Sequence, residues 1–169
     1  MSTLKVNEIQ DTSGNVRRGI QTYALICDEK STNTDGGTFS NGAWRTRDLN
    51  TEIYDPDNIV SVASNQFTLG AGTYLIVAYA NAIEVNRHQA RLYNVTASAV
   101  AELGSTEHSA STGGFAVTRS TVNARVTITG NTTFEIQHRC HVSRSSDGFG
   151  LGHNWGNGRF TMVEIYKED

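Results

Sequence analysis

Tyr23-Ala24-Leu25-Ile26-Cys27, Tyr74-Leu75-Ile76-Val77-Ala78-Tyr79-Ala80 and Phe160-Thr161-Met162-Val163-Glu164-Ile165-Tyr166 are strand-like runs with apolar side chains on both faces. Elsewhere the chain alternates as half-buried strands do. Phe134, Ile136, His138 and Cys140 share one face of residues 133–140, opposite Glu135, Gln137 and Arg139. Val122, Ala124, Val126 and Ile128 likewise oppose Asn123, Arg125, Thr127 and Thr129. In an antiparallel sandwich one strand face meets the second sheet and the other meets water. Three adjacent two-sided strands would therefore leave an apolar patch of a size that monomers seldom expose. A long loop such as 33–42 or 143–158 could cover it, or another copy of the chain could. The second copy is the favoured cover, which makes Tyr23, Leu25, Tyr74, Tyr79, Phe160 and Tyr166 candidate interface residues.

No segment sustains apolar residues at i, i+3, i+4 and i+7 over three turns, so the pattern excludes long amphipathic helices. Strands are expected near 22–28, 43–49, 59–62, 66–69, 73–85, 87–96, 115–120, 122–129, 133–142 and 159–167, separated by Gly, Asn, Ser and Asp clusters at 33–42, 104–114 and 143–158. No repeat of about 20–50 residues is visible, which argues against a propeller or solenoid. About ten strands in one domain predict an all-β, two-sheet antiparallel jelly-roll sandwich.

Residues 20–169 are assigned to that sandwich and residues 1–19 to an N-terminal arm. The arm holds scattered apolar residues, Leu4, Val6 and Ile9, followed by the turn-rich Asp11-Thr12-Ser13-Gly14-Asn15. It is too sparse for a core of its own and is expected to attach the domain to something else. Burying the three side chains would contribute about 1.5–3 kcal/mol each, multiplied by avidity in an oligomer.

Composition narrows the functions. The 169 residues include 14 Lys+Arg against 17 Asp+Glu, a net charge of −3 that supplies no basic field for a phosphate backbone. No apolar run approaches the ~20 residues that cross a bilayer. Met1 to Glu8 lacks the apolar core of a secretory signal, so synthesis in the cytosol is expected, without nucleic-acid or membrane partners. Cys27 and Cys140 could pair, but two buried free thiols are expected in that compartment.

Catalytic constellations are sparse. His138 and His141 fall on opposite faces of a strand, and no histidine has a second at i+2, so a cupin-type metal site is not expected. Asp55-Pro56-Asp57-Asn58 starts like a calcium loop but has Ile59 at a ligand position, and a proline turn explains it better. No Gly-x-Ser-x-Gly elbow is present. No enzymatic activity and no cofactor are expected. Arg45, Arg47 and Asp48 beside Trp44 suit a structural ion pair or an intersubunit contact. In the glycine-rich stretch Gly148–Gly158, the aromatics Phe149, His153 and Trp155 either fold back on the sheet or form a surface-ligand loop.

Phe67-Thr68-Leu69 followed by Ala71-Gly72-Thr73-Tyr74-Leu75-Ile76, with a closing Phe-led strand at 160–166, resembles the strand signatures of tumour-necrosis-factor-like and complement-type globular heads. That resemblance implies a jelly roll that trimerises through the sheet holding its first, central and last strands. Gly42 to Thr51, Gln66 to Leu75, Arg87 to Asn94, Phe134 to Cys140 and Val163 to Lys167 are similar to knob domains of marine bacteriophage fibre and virion-surface proteins. Ser2 to Gln10 resembles the leader on such proteins. The resemblance implies a homotrimeric virion structural protein, made in the host cytoplasm and displayed on the particle. Its arm would bind the major capsid protein or another virion protein. Fibre proteins carry long shafts and this chain has almost none, which favours capsid decoration or cement. The alternative is a tail-fibre or head-fibre receptor-binding knob for a host-surface glycan or protein.

Overall fold

The computed structural model describes residues 9–10, 16–17, 22–110 and 116–168. In chain order the strands are β1 (Ile9–Gln10), β2 (Val16–Arg17), β3 (Thr22–Lys30), β4 (Arg45–Thr46), β5 (Thr51–Tyr54), β6 (Val60–Ala63), β7 (Gln66–Leu69), β8 (Gly72–Ile83), β9 (Asn86–Asn94), β10 (Ala99–Ser109), β11 (Val117–Ile128), β12 (Thr132–Cys140) and β13 (Gly158–Glu168). In the expected arm, Ile9–Gln10 pairs antiparallel with Val16–Arg17. Leu4 and Val6 lie outside the described residues.

The remaining strands form two antiparallel sheets. One has the order β11-β8-β13-β3-β5, and the other β10-β9-β12-β7-β6 with β4 beside β12. Strands distant in sequence are thus neighbours, as in a jelly-roll sandwich. The three two-sided segments lie on β3, β8 and β13, side by side in the five-stranded sheet. The core fills the space between the sheets, with Ala24, Ile26, Tyr74, Ile76, Val163 and Ile165 facing Phe67, Leu92, Phe134 and Ile136. Burial of such side chains contributes about 1.5–3 kcal/mol apiece.

Two edge strands escape the sequence pattern. β10 is mostly exposed and carries register shifts between Val100 and Glu102 and between Leu103 and Thr106, so no apolar alternation marks it. It is joined to the opposite sheet by polar contacts: Ser120 Oγ on β11 donates to Ser105 O at 2.6 Å, and Thr121 N donates to Ser105 Oγ at 3.0 Å. β5 is a four-residue edge with a half-wet pattern. The expected strand at 43–49 shrinks to Arg45–Thr46, because Arg47 and Leu49 turn into the interior. The two strands expected at 115–120 and 122–129 are one, β11, paired with β8 from Val117↔Ile83 to Ile128↔Gly72. The Ser64–Asn65 turn between β6 and β7 has φ of 54° and 63°, the left-handed geometry of a two-residue hairpin.

Loops 33–42 and 143–158 close one end of the sandwich. Phe39 bridges Arg144 and packs on His138 and Phe149, with ring centroids 4.6 Å and 4.5 Å away. Gly150, at φ +146°, lets the loop pass over Phe160, whose ring would lie 2.0 Å from any Cβ placed there. The end is pinned by Arg47, which is 0% exposed. Its Nε donates to Thr161 Oγ1 at 2.8 Å and its Nη1 to Asn81 O at 3.2 Å. Its Nη2 donates to Phe149 O and Phe160 O, both at 3.2 Å, and its guanidinium lies 3.9 Å from the Phe149 ring centre. The expected ion pair is absent from the hydrogen bonds of Arg47. The nearby Asp48 carboxylate instead takes Lys30 at 2.8 Å. Burial pushes the guanidinium pKa down to about 9, which leaves it protonated at neutral pH.

Replacing Arg47 with Met is expected to destabilise the domain by about 3–5 kcal/mol, because several buried acceptors lose their donor at once. Urea denaturation measures the loss, and limited proteolysis should show the first cuts within 143–158. Arg47→Lys is expected to restore only part of the stability, since an ammonium cannot reproduce the planar fork.

Candidate functional site

The outward face of the five-stranded sheet is the most distinctive surface of the fold. Period-two geometry sends Tyr23 and Leu25 of β3, Leu75, Val77 and Tyr79 of β8, and Met162, Glu164 and Tyr166 of β13 to this face. Cross-strand register places Val77, Glu164 and Leu25 in one row, with Tyr54 of β5 opposite Leu25. Leu75, Tyr166 and Tyr23 form the next row. The tyrosines cluster: Tyr23 lies 5.9 Å from Tyr54 and 4.9 Å from Tyr166 between ring centres. Tyr54 is 52% exposed and Leu75 37% exposed, while the others are half-buried.

A polar rim surrounds this apolar centre. Arg125 makes a two-pronged contact with Glu168 at 2.8 Å and 2.7 Å. Arg159 meets Glu29 at 2.9 Å, and Arg119 sits 4.6 Å over the Tyr79 ring. In the middle, Tyr166 Oη donates to Glu164 Oε2 at 2.7 Å, and this hydrogen bond drives the Tyr166 phenol up to about 12. An apolar, aromatic centre inside a charged rim is the anatomy of a protein–protein interface.

Of the six candidate interface residues, Tyr23, Leu25, Tyr79 and Tyr166 lie on this face, whereas Tyr74 and Phe160 point inward and are corrected to core positions. Tyr74 and Tyr79 are an odd number of residues apart, so one strand cannot present both outward. Tyr74 is buried in the core and donates to Gly70 O at 3.1 Å. Phe160 is turned in by the irregularity between Arg159 and Met162, which buries Phe160 and Thr161 in succession. Sequence reasoning missed Leu75, Val77, Met162 and Tyr54; strict alternation counted from Tyr79 would have found the first two.

The proposed ligand loop divides. Phe149 packs against Phe39 and under Arg47, so it belongs to the end closure and not to a binding surface. His153 and Trp155 stack at 4.4 Å with planes 10° apart, and Trp155 is 82% exposed. The Asp55 carboxylate accepts from Ile59 N and Val60 N, both at 2.9 Å, as the proline turn requires. Cys27 and Cys140 are buried free thiols, and burial pushes both pKa values up to about 11.

One buried polar cluster could be taken for catalytic machinery. His88 Nδ1 lies 2.9 Å from His138 Nε2, and His88 Nε2 lies 2.7 Å from Thr118 Oγ1. His138 Nδ1 is buried without a partner. If His138 Nε2–H donates to His88 and His88 Nε2–H donates to Thr118, both donors are satisfied and only a lone pair is left over. Burial lowers the His88 pKa to about 4 and that of His138 well below 6.5. Burial disfavours the imidazolium that a general base must form, and a second imidazole stands where an orienting carboxylate would, so the pair is better suited to a structural role. Among the described residues no group of three or more His, Cys, Asp or Glu is placed to hold a metal ion.

No protein-family model matches the chain, and no curated protein matches it in sequence. Solved structures do match in shape. The globular domain of zebrafish complement 1qA protein aligns over 88% of this chain and 98% of its own, with a TM-score of 0.56 at 13% identity. Murine APRIL aligns over 86% of this chain and 98% of its own, with a TM-score of 0.54 at 7% identity. The fold is the complement-head and tumour-necrosis-factor-like jelly roll. At these identities the likeness concerns the fold alone.

Within this jelly roll the histidine pair links stability to pH. Both imidazoles are held neutral below their unfolded pKa of about 6.5, so the unfolded chain binds more protons once pH falls through that value. Stability is therefore complete above about pH 7 and declines from about pH 6.5 toward 4, at up to about 1.4 kcal/mol per pH unit for each proton taken up. Urea midpoints between pH 7.5 and 5 should fall accordingly, and His88→Gln should flatten the slope.

Proposed function

We propose that this chain is a non-enzymatic, homotrimeric surface knob, joined through the outward face of β3, β8 and β13, that decorates a bacteriophage capsid. The observation that carries the assembly is the apolar, tyrosine-rich centre of that face inside its rim of ion pairs. Among the described residues no loop covers Leu25, Leu75, Val77 and Met162 on this outer face, and a second copy would remove them from water. The complement-head and tumour-necrosis-factor-like fold is compatible with this arrangement. The particle context rests on the sequence stretches similar to phage knob domains and on the leader-like arm, which would bind the major capsid protein or another virion protein.

Analytical ultracentrifugation tests the assembly. The wild-type chain should sediment as a trimer at micromolar concentration, and a stable monomer there would overturn the proposal. Val77→Glu places a second carboxylate beside Glu164 on the face and should yield a folded monomer with an unchanged circular dichroism spectrum. Deleting residues 2–15 should leave the trimer intact while abolishing incorporation into particles; retained incorporation would remove the attachment role of the arm.

The stacked His153–Trp155 pair favours a second role, a receptor-binding knob, since an indole 82% exposed is available to a ligand. Loss of host-cell binding on Trp155→Ala would support it.

A further inference from the structure

The six-stranded sheet carries a cavity of about 400 Å³ on its outward side, between the 41–44 loop and the adjoining ends of β9 and β12. Its lining contains Arg87, Arg139 and His141 but no carboxylate, in a chain whose net charge is −3. Arg139 lies opposite Gln89 in the β12–β9 ladder, so Arg87, two positions along, is its diagonal neighbour on the same face. Such neighbours are about 7–8 Å apart, close enough for two long side chains to converge on one anion. Arg87 Nη2 rests 3.3 Å from His141 Nδ1, which orients the guanidinium without neutralising it. Neither Arg87 nor Arg139 enters an ion pair among the described residues.

The rest of the lining is suited to hydroxyl groups. Gln89 Nε2 donates to Gly104 O at 2.8 Å, and Asn41 Nδ2 donates to His141 O at 3.1 Å. These bonds fix the orientation of both amides, and each side chain keeps its carbonyl oxygen as an acceptor and a second N–H as a donor. Thr106 stands opposite Gln89 on β10 and adds a hydroxyl that both donates and accepts. Trp44 supplies an aromatic wall. The Arg91 guanidinium lies 4.0 Å from its ring centre and is itself held by Gln137 Oε1 at 2.7 Å. The wall is therefore braced by the sheet beneath it.

We propose that this cavity binds an acidic saccharide, with its carboxylate or sulfate between Arg87 and Arg139, its hydroxyls on Asn41, Gln89 and Thr106, and its ring against Trp44. A bare inorganic anion would leave most of the space and all of the neutral acceptors unused. The cavity is an open groove whose volume of about 400 Å³ falls within the range of small-ligand sites, and the net negative charge of the chain gives a nucleic-acid backbone no continuing track. The inference is independent of the assembly reading, because the apolar face belongs to the other sheet.

Isothermal titration calorimetry of the full chain with 3′-sialyllactose, a sulfated disaccharide, lactose and sodium sulfate tests it. At least one acidic sugar should bind saturably and weaken as sodium chloride is raised. Lactose and sulfate alone should each bind about tenfold more weakly or worse. Arg87→Gln and Arg139→Gln, both at exposed positions, should each cost the acidic sugar about tenfold or more while leaving the circular dichroism spectrum and the oligomeric state unchanged. The proposal is overturned if neither acidic sugar binds by about 10 mM, if binding survives both substitutions, or if sulfate alone matches the sugars.

Discussion

One guanidinium ties the two sheets and the end of the sandwich together. Arg47 enters from the edge of the six-stranded sheet, where its own N–H continues the β4 pairing by donating to Ile136 O at 2.8 Å. Its side chain then crosses the interior to Thr161 and Asn81 on the five-stranded sheet, and to Phe149 in the long loop. Four of its five N–H groups find acceptors, which is what makes burial of a full charge tolerable. The consequence is geometric. Phe149 cannot leave the guanidinium without exposing it, so the loop, the Phe39 packing and the His138 environment are held as a unit. Both histidines feel that charge, which adds to burial in keeping them neutral.

This keystone was illegible in the sequence for a physical reason. Beside Trp44 and Asp48, Arg47 looks like half of a surface pair, and local reasoning pairs charges with their neighbours. Its real partners are 34 to 114 positions away, and most are backbone carbonyls, which leave no mark on residue type. Exposed edges were hidden for the opposite reason. β10 buries so little and shifts register so often that alternation never develops, and its hold on the neighbouring sheet runs through polar contacts of Ser105 and Ser109. Strands with a buried face could be read almost to the residue, as the inward row of Phe134, Ile136, His138 and Cys140 shows. Hydrophobic burial writes a periodic signal; edges and polar cross-links do not.

The candidate assembly face lies between these extremes. That these strands carry apolar side chains on both faces is legible in their composition; that β8, β13 and β3 are neighbours comes from the ladder and is what the complement-head resemblance implies. Which residues point out did not follow so easily. Tyr74 failed on simple parity, and Phe160 failed because one irregularity in β13 shifts the alternation between Arg159 and Met162. A single extra residue moves every side chain beyond it to the other face. Side-chain lists drawn from composition therefore need the ladder before they become a surface.

The two outward faces of the sandwich divide the chemistry between them. On the five-stranded sheet the outer rows are Leu, Val, Met and Tyr, with charge confined to the rim and to Glu164. On the six-stranded sheet the outer face is a polar mesh, in which Gln66 donates to Glu135 at 3.0 Å, Gln137 meets the other Glu135 oxygen, and Arg91 joins Gln137 to Trp44. A mesh already satisfied within one chain gains little from a partner protein, because docking there would exchange made hydrogen bonds for others. An apolar face gains in proportion to the area it removes from water. Association through the first face, as proposed, would leave the second turned outward and the Arg87–Arg139 cavity open to solvent on every copy. In a trimer, three such cavities would be carried at fixed spacing, so a polyvalent acidic glycan would be held more tightly than any one cavity holds its sugar.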